Sequence, residues 1–126
     1  MLPVERVIGD GGLSAGPDGG RLDVRLPWYR SLPLSTVRVE ALEVDGAQIP
    51  LESLRFELDG GSWTLAELED QTDRFWFVLD SARLVIPGLS LAPGSAHRVA
   101  LTISLFPPYI PGMKRANAQS ETLLVR

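Results

Sequence analysis

Short runs of alternating apolar and polar residues dominate the chain, and Gly or Pro interrupts them at close intervals. Leu22, Val24 and Leu26 alternate with Arg21, Asp23 and Arg25, the period of a half-buried strand. In TVRVEALEVDG, Val37 and Val39 lie in one phase and Leu42 and Val44 in the other. The slip around Ala41 predicts a β-bulge, because one added residue exchanges the inward and outward faces. Asp45-Gly46 predicts a hairpin turn leading into AQIPL, since both residues tolerate positive φ. Leu54, Phe56 and Leu58 alternate next, and DGGS after them reads as another turn. TLAELED has a different pattern: Thr64 with Glu67 three residues on forms a capping box, which predicts one or two helical turns. FWFVL, residues 75–79, is continuously apolar and reads as a strand covered on both faces. ARLVIP follows as a paired strand. After a Pro-Gly turn, Val99, Leu101, Ile103 and Leu105 alternate strictly and mark the clearest strand. ETLLV reads as a last strand. GDGGLSAGPDGG, residues 9–20, reads as a flexible connector. Neither Lys-Ser nor Lys-Thr follows it, and no helix is predicted after it, so it does not match a phosphate-cradling loop.

Seven to nine short strands with one short helical turn, and turns every eight to twelve residues, predict an all-β antiparallel sandwich. An open barrel is the alternative. The 126 residues fit one domain spanning 1–126. A chain of this size buries roughly two-thirds of its unfolded surface, enough for a core without staples.

Composition narrows the chemistry. Without cysteine there is neither a disulfide nor a thiolate metal site. The one histidine, His97, lies just past the Pro-Gly turn, where a solvent-facing role is expected. Glu67, Glu69, Asp70 and Asp73 lack EF-hand spacing, and a capped acidic helix start explains them without a metal. No serine sits in a nucleophile elbow, and no carboxylate pair stands at glycosidase spacing. The expectation is a chain with neither catalytic nor metal-binding residues of its own. A net charge of −4 argues against nucleic acid as the main partner. The charge is unevenly spread: residues 57–73 carry acids without a base, whereas from Ser81 on Glu121 is the one acid against five bases. MLPVERVIGD does not resemble a secretory signal, and no stretch approaches the roughly 20 apolar residues that span a membrane. No membrane association and a cytoplasmic location are the expectations.

Two loops carry more information. LPWYRSLPLS, residues 26–35, places Trp28, Tyr29 and Arg30 between Pro27 and Pro33. Proline presets the loop's shape, which lowers the ordering cost of binding. Trp, Tyr and Arg are the residue types most enriched at interface hot spots. FPPYIPGMK, residues 106–114, repeats the recipe around Tyr109 and Met113. The residues therefore point to a binding surface on two stiff aromatic loops. Rings that merely close the ends of a sandwich are the structural alternative.

The ordered segments VRLPWYRSLPLS, VEALEVDGAQIP, LRFELDGGSWTLAELED, FWFVLDSARLVI, GLSLAPGSAHRVALTISL and PPYIP resemble the small β subunit of bacterial C-glycoside deglycosidases, over roughly residues 20–111. That resemblance implies a β-sandwich accessory subunit that is itself non-catalytic. Its partner would be a larger (β/α)8-barrel α subunit holding a divalent metal, usually manganese. The complex would be a lyase cleaving the carbon-carbon bond of 3-oxo-C-glycosides. No cofactor is then expected on this chain. The resemblance places Trp28, Tyr29, Arg30, Pro33, Leu34, Tyr109 and Pro111 on the family's loops, and with Met113 they form the expected partner interface. Ser31 stands where the family has Gly, and Gly60-Gly61 where it has Asn-Gly. The other readings are a free-standing sandwich that binds carbohydrate through Trp28, Tyr29 and Trp63, and a self-associating domain.

Overall fold

The computed structural model describes residues 6–126. The reading of the N-terminus as free of a secretory signal falls largely on residues 1–5, outside the described residues. The described strands are β1 (Ile8–Gly16), β2 (Gly19–Val24), β3 (Leu32–Pro33), β4 (Val37–Val44), β5 (Ala47–Gln48), β6 (Arg55–Leu58), β7 (Gly61–Thr64), β8 (Phe75–Trp76), β9 (Ala82–Pro87), β10 (Ala96–Leu105) and β11 (Arg115–Leu124). They form a five-stranded sheet ordered β1-β2-β9-β6-β7, a four-stranded sheet ordered β11-β10-β4-β5, and the short pair β3-β8. Pairing within each sheet is antiparallel. The fold is all-β. Three of the strands, β3, β5 and β8, are two residues long, which is why there are more than the sequence predicts.

The alternating positions build the core. Leu22, Val24, Phe56 and Leu84 from the larger sheet meet Val37, Leu42, Val99, Leu101, Ile103 and Leu105 from the other in one buried cluster. The bulge falls where the phase slip predicts it. Thr102 pairs with Ala41 and Ile103 with Val39, so Glu40 is the extra residue. The bulge turns Glu40 toward Ser104, which donates to its carboxylate at 2.7 Å, and Lys114, 2.9 Å away. Asp45 and Gly46 take φ of 53° and 83°, and Asp59 and Gly60 take 47° and 81°, as two-residue hairpin turns require. The capping box is also present. The Thr64 N–H donates to Glu67 Oε1 (2.8 Å), and the Glu67 N–H to Thr64 Oγ1 (3.2 Å). A 3-10 turn, Ala66–Asp70, follows and buries Leu68.

Two expectations are corrected. Residues 9–20 are not a flexible connector: they lie mostly in β1 and β2, a hairpin turning at Pro17-Asp18. The glycines serve close packing. The Gly11 N–H donates to Asp23 Oδ2 (2.8 Å), and a Cβ at Gly9 or Gly11 would collide with that carboxylate. At Gly19, φ is +139°, and a Cβ would run into the Ile86 carbonyl of β9. Residues 75–79 are not a strand covered on both faces. Trp76 is buried, whereas Phe75, Phe77 and Leu79 are exposed. Only β8 pairs, with Leu32 opposite Trp76 and Pro33 opposite Phe75.

Candidate functional site

The two aromatic loops leave different sheets and meet at one end of the molecule. The first runs from β2 to β3, and the second from β10 to β11. In the second, the Ile110 N–H donates to the Pro107 carbonyl (3.1 Å) and the Met113 N–H to the Ile110 carbonyl (3.2 Å). These consecutive turns end at Gly112, whose φ of +78° suits glycine. The loops are joined by a hydrogen bond from Trp28 Nε1 to the Tyr109 hydroxyl. That hydroxyl lies 3.4 Å from the Tyr29 hydroxyl and donates to it. The Trp28 and Tyr29 rings are 5.0 Å apart and tilted by 41°. The Arg30 guanidinium sits 4.9 Å above the centre of the Tyr109 ring. Arg38 and Lys114 flank Phe106 at 5.8 and 6.0 Å. Partial burial, and then the Tyr29 hydroxyl, push the Tyr109 phenol above the ordinary tyrosine value.

The expected interface residues divide by burial. Tyr29 and Tyr109 are 56% and 43% exposed, and Arg30 and Pro111 are exposed as well. Trp28 and Leu34 lie in the core of the chain, Trp28 at 6% exposure and Leu34 fully buried. Trp28 therefore roots the surface from below, and Leu34 packs inside it. Pro33 is partly buried and paired to Phe75. Met113 is partly buried and packs against the core. The sequence reading missed Phe106 and Ile110 at this end, although both lie in the loop it singled out. It also missed Phe75, Phe77 and Leu79, because an apolar run does not say which side faces water. The loop carrying Arg30 reaches that second patch, where Ser31 Oγ accepts from the Val78 N–H at 3.0 Å. The Phe75 and Phe77 rings stack at 6.5 Å.

His97 is not simply solvent-facing. Its Nε2 is 2.9 Å from Ser95 Oγ and its Nδ1 is 2.7 Å from Asp45 Oδ2. The order Ser–His–Asp has the outline of a nucleophile relay, but its surroundings do not complete one. Ser95 donates its proton to the Ala92 carbonyl (2.6 Å). The Ser95 N–H also bonds Ala92, and the Gly94 N–H bonds Val125, so neither is free to hold an oxyanion. The three residues instead tie the turn before β10 to the β4–β5 hairpin. Among the described residues, no group of three or more His, Cys, Asp or Glu side chains converges as a metal site.

Hydrogen bonds depress three carboxyls. Lys114 and then Ser104 act on Glu40, His97 and then the Arg98 N–H on Asp45, and the Thr64 N–H and then its hydroxyl on Glu67. A carboxyl with a lower pKa folded than unfolded contributes stability above its unfolded value and loses it as pH falls through the folded one. Unfolded values lie near ~4. The Tm of the chain should therefore fall as pH drops below about 4.5, and Asp45→Asn should flatten that fall. Thermal scans between neutral and strongly acidic pH check this. An unchanged Tm–pH slope in Asp45→Asn would discount the His97–Asp45 contact.

The geometry defines a class: a small β-sandwich that presents a preset, ring-bearing surface at one end. The particular family follows from comparison with known proteins. The family model for "C-glycoside deglycosidase beta subunit" matches residues 14–109, and the chain belongs to that family. It is 42% identical over 118 residues to a 3'-dehydrocarminate deglycosidase beta subunit of Microbacterium sp., covering 94% of this chain and 89% of the relative. A C-glycoside deglycosidase beta subunit of Microbacterium trichothecenolyticum is 40% identical over 111 residues, covering 87% and 82%. One from Arthrobacter globiformis is 45% identical over 89 residues, covering 71% and 67%. Among the described residues, no helix is long and apolar enough to cross a membrane.

Proposed function

We propose that the chain is the accessory subunit of a cytoplasmic C-glycoside deglycosidase and grips a larger α subunit through its ring-bearing end. The relatives' designation as beta subunits supports a hetero-oligomer. The observation that carries the reading is that this end leaves Tyr29, Phe106, Tyr109 and Ile110 exposed together on loops stiffened by proline. Rings held in place bind with little further ordering, and aromatic anchors dominate interface energetics. On this reading the α subunit is a (β/α)8 barrel that holds the divalent metal, manganese, and supplies the chemistry of the carbon-carbon lyase reaction on a 3-oxo-C-glycoside. This chain's residues bind and position that subunit and exclude water from the contact. Their role is support rather than proton transfer.

The carbohydrate-binding alternative fits the geometry less well. Stacking on a sugar needs exposed, coplanar rings. Trp28 is buried and tilted against Tyr29, and the Trp63 ring is covered by Arg74 at 5.1 Å.

Co-expression with the α subunit encoded in the same genome tests the proposal. A stable complex is expected, and Tyr29→Ala combined with Phe106→Ala should weaken it by about 30-fold or more. Both rings are substantially exposed, so Tm should change by only a few degrees, roughly. Unaltered affinity in the double variant would move the interface elsewhere. Sugar affinity in the isolated chain would favour the alternative.

A further inference from the structure

Two donors are exposed at the ring-bearing end, the Arg30 guanidinium and the Tyr29 hydroxyl. An indole N–H can only donate, so the Tyr109 oxygen accepts from Trp28. The Tyr109 hydroxyl donates to Tyr29 across a long 3.4 Å contact. Among the described residues, the Tyr29 O–H has no acceptor, and its proton is available to whatever covers the surface. Arg30 lies beside it with its guanidinium over the Tyr109 ring. Arg38 and Lys114 at this end pair with Glu69 and Glu40, at 3.3 and 2.9 Å, whereas Arg30 makes no ion pair among the described residues. The end therefore offers a guanidinium and a phenol O–H that both contact Tyr109, with the apolar Phe106 and Ile110 exposed in the same loop as Tyr109.

Covering this surface removes water from Arg30. A guanidinium taken out of water without an anionic partner is strongly unfavourable, so a macromolecule that buries these rings must bring an acceptor to meet it. The fork of a guanidinium fits the two oxygens of a carboxylate. The exposed flanking rings call for a macromolecular surface rather than a small free anion, since only a macromolecule would cover them as well. Resting on the reading above, we propose that Arg30 and the Tyr29 hydroxyl receive one Asp or Glu side chain of the α subunit, the polar anchor of an otherwise apolar contact.

The test is the affinity of the chain for its co-expressed, purified α subunit across a range of salt concentrations. Arg30→Glu should weaken the complex about 100-fold or more. Arg30→Lys should lose part of that, about 5- to 10-fold, because an ammonium keeps the charge without the fork. Tyr29→Phe should weaken it by a few-fold, roughly the value of one hydrogen bond. Arg30 is exposed, and circular dichroism and Tm verify that each variant folds. Arg30→Glu binding within about twofold of the unsubstituted chain overturns the proposal. If it does so while Tyr29→Ala with Phe106→Ala still weakens the complex, the interface reading stands and only the carboxylate anchor falls. If the unsubstituted chain and the α subunit do not associate, both fall.

Discussion

Trp28→Ala should destabilise the chain by about 3–5 kcal/mol, the cost of emptying a large buried aromatic site. The expected fall in Tm is on the order of 10–20 °C for a chain of this length. Trp28 reads from sequence as an interface residue, but its ring is 6% exposed and belongs to the core cluster. Its indole N–H is also the link that holds the second loop to the first, through Tyr109. Alanine would remove the support beneath Tyr29 and leave the Tyr109 hydroxyl without its donor, so binding of the α subunit should be lost along with stability. Trp28→Phe separates the two effects. It keeps most of the apolar volume and should recover most of the stability. It lacks the N–H, and should show a residual loss of about 0.5–1.5 kcal/mol. Urea denaturation of the three proteins measures this. A Trp28→Ala protein as stable as its parent would mean that the ring is not the root of the end.

A loss of similar size is expected for Trp76→Ala, about 3–5 kcal/mol. Trp76 is fully buried and meets Phe56 edge to face, with ring centres 5.3 Å apart and planes at 74°. Such a pair adds about 0.5–1.5 kcal/mol beyond burial. Its Nε1 also donates to the Asp80 carbonyl at 2.8 Å, closing the bend that follows β8. Within residues 75–79 it is the inward anchor, and Phe75, Phe77 and Leu79 face out around it. Without it the ribbon should detach from β3 and the exposed rings should bind hydrophobic dyes. Phe77→Ser, by contrast, should cost no more than about 0.5 kcal/mol, since Phe77 is 59% exposed. Denaturant titrations of the pair decide the matter. Equal losses in both would show that the outward rings are structural rather than available to a partner.

Much of the fold was legible because it depends on local rules. The four alternating residues of β10 are all buried, and so are Leu22, Val24 and Leu26. A period of two can serve only one covered face, so the inward residues identify themselves. The bulge at Glu40, the turns at Asp45-Gly46 and Asp59-Gly60, and the Thr64–Glu67 box likewise depend on residues within a few positions of one another. The Gly-rich run misled because its glycines serve close approach to Asp23 and to β9, contacts made by distant residues, instead of flexibility.

The candidate site was only half legible. Its two loops stood out by their prolines and rings, yet the roles within them did not. Trp28 and Tyr29 are adjacent and chemically similar, and one is buried while the other is exposed. The contact of His97 with Asp45 joins residues 52 apart and leaves no trace in the spacing. From its residues alone, this chain determines an all-β architecture, the positions of its turns and two stiff aromatic loops. Only the tertiary structure decided which rings became core and which remained surface. That choice rests on the meeting of loops from separate sheets, and contacts between residues about 80 positions apart follow no short-range period.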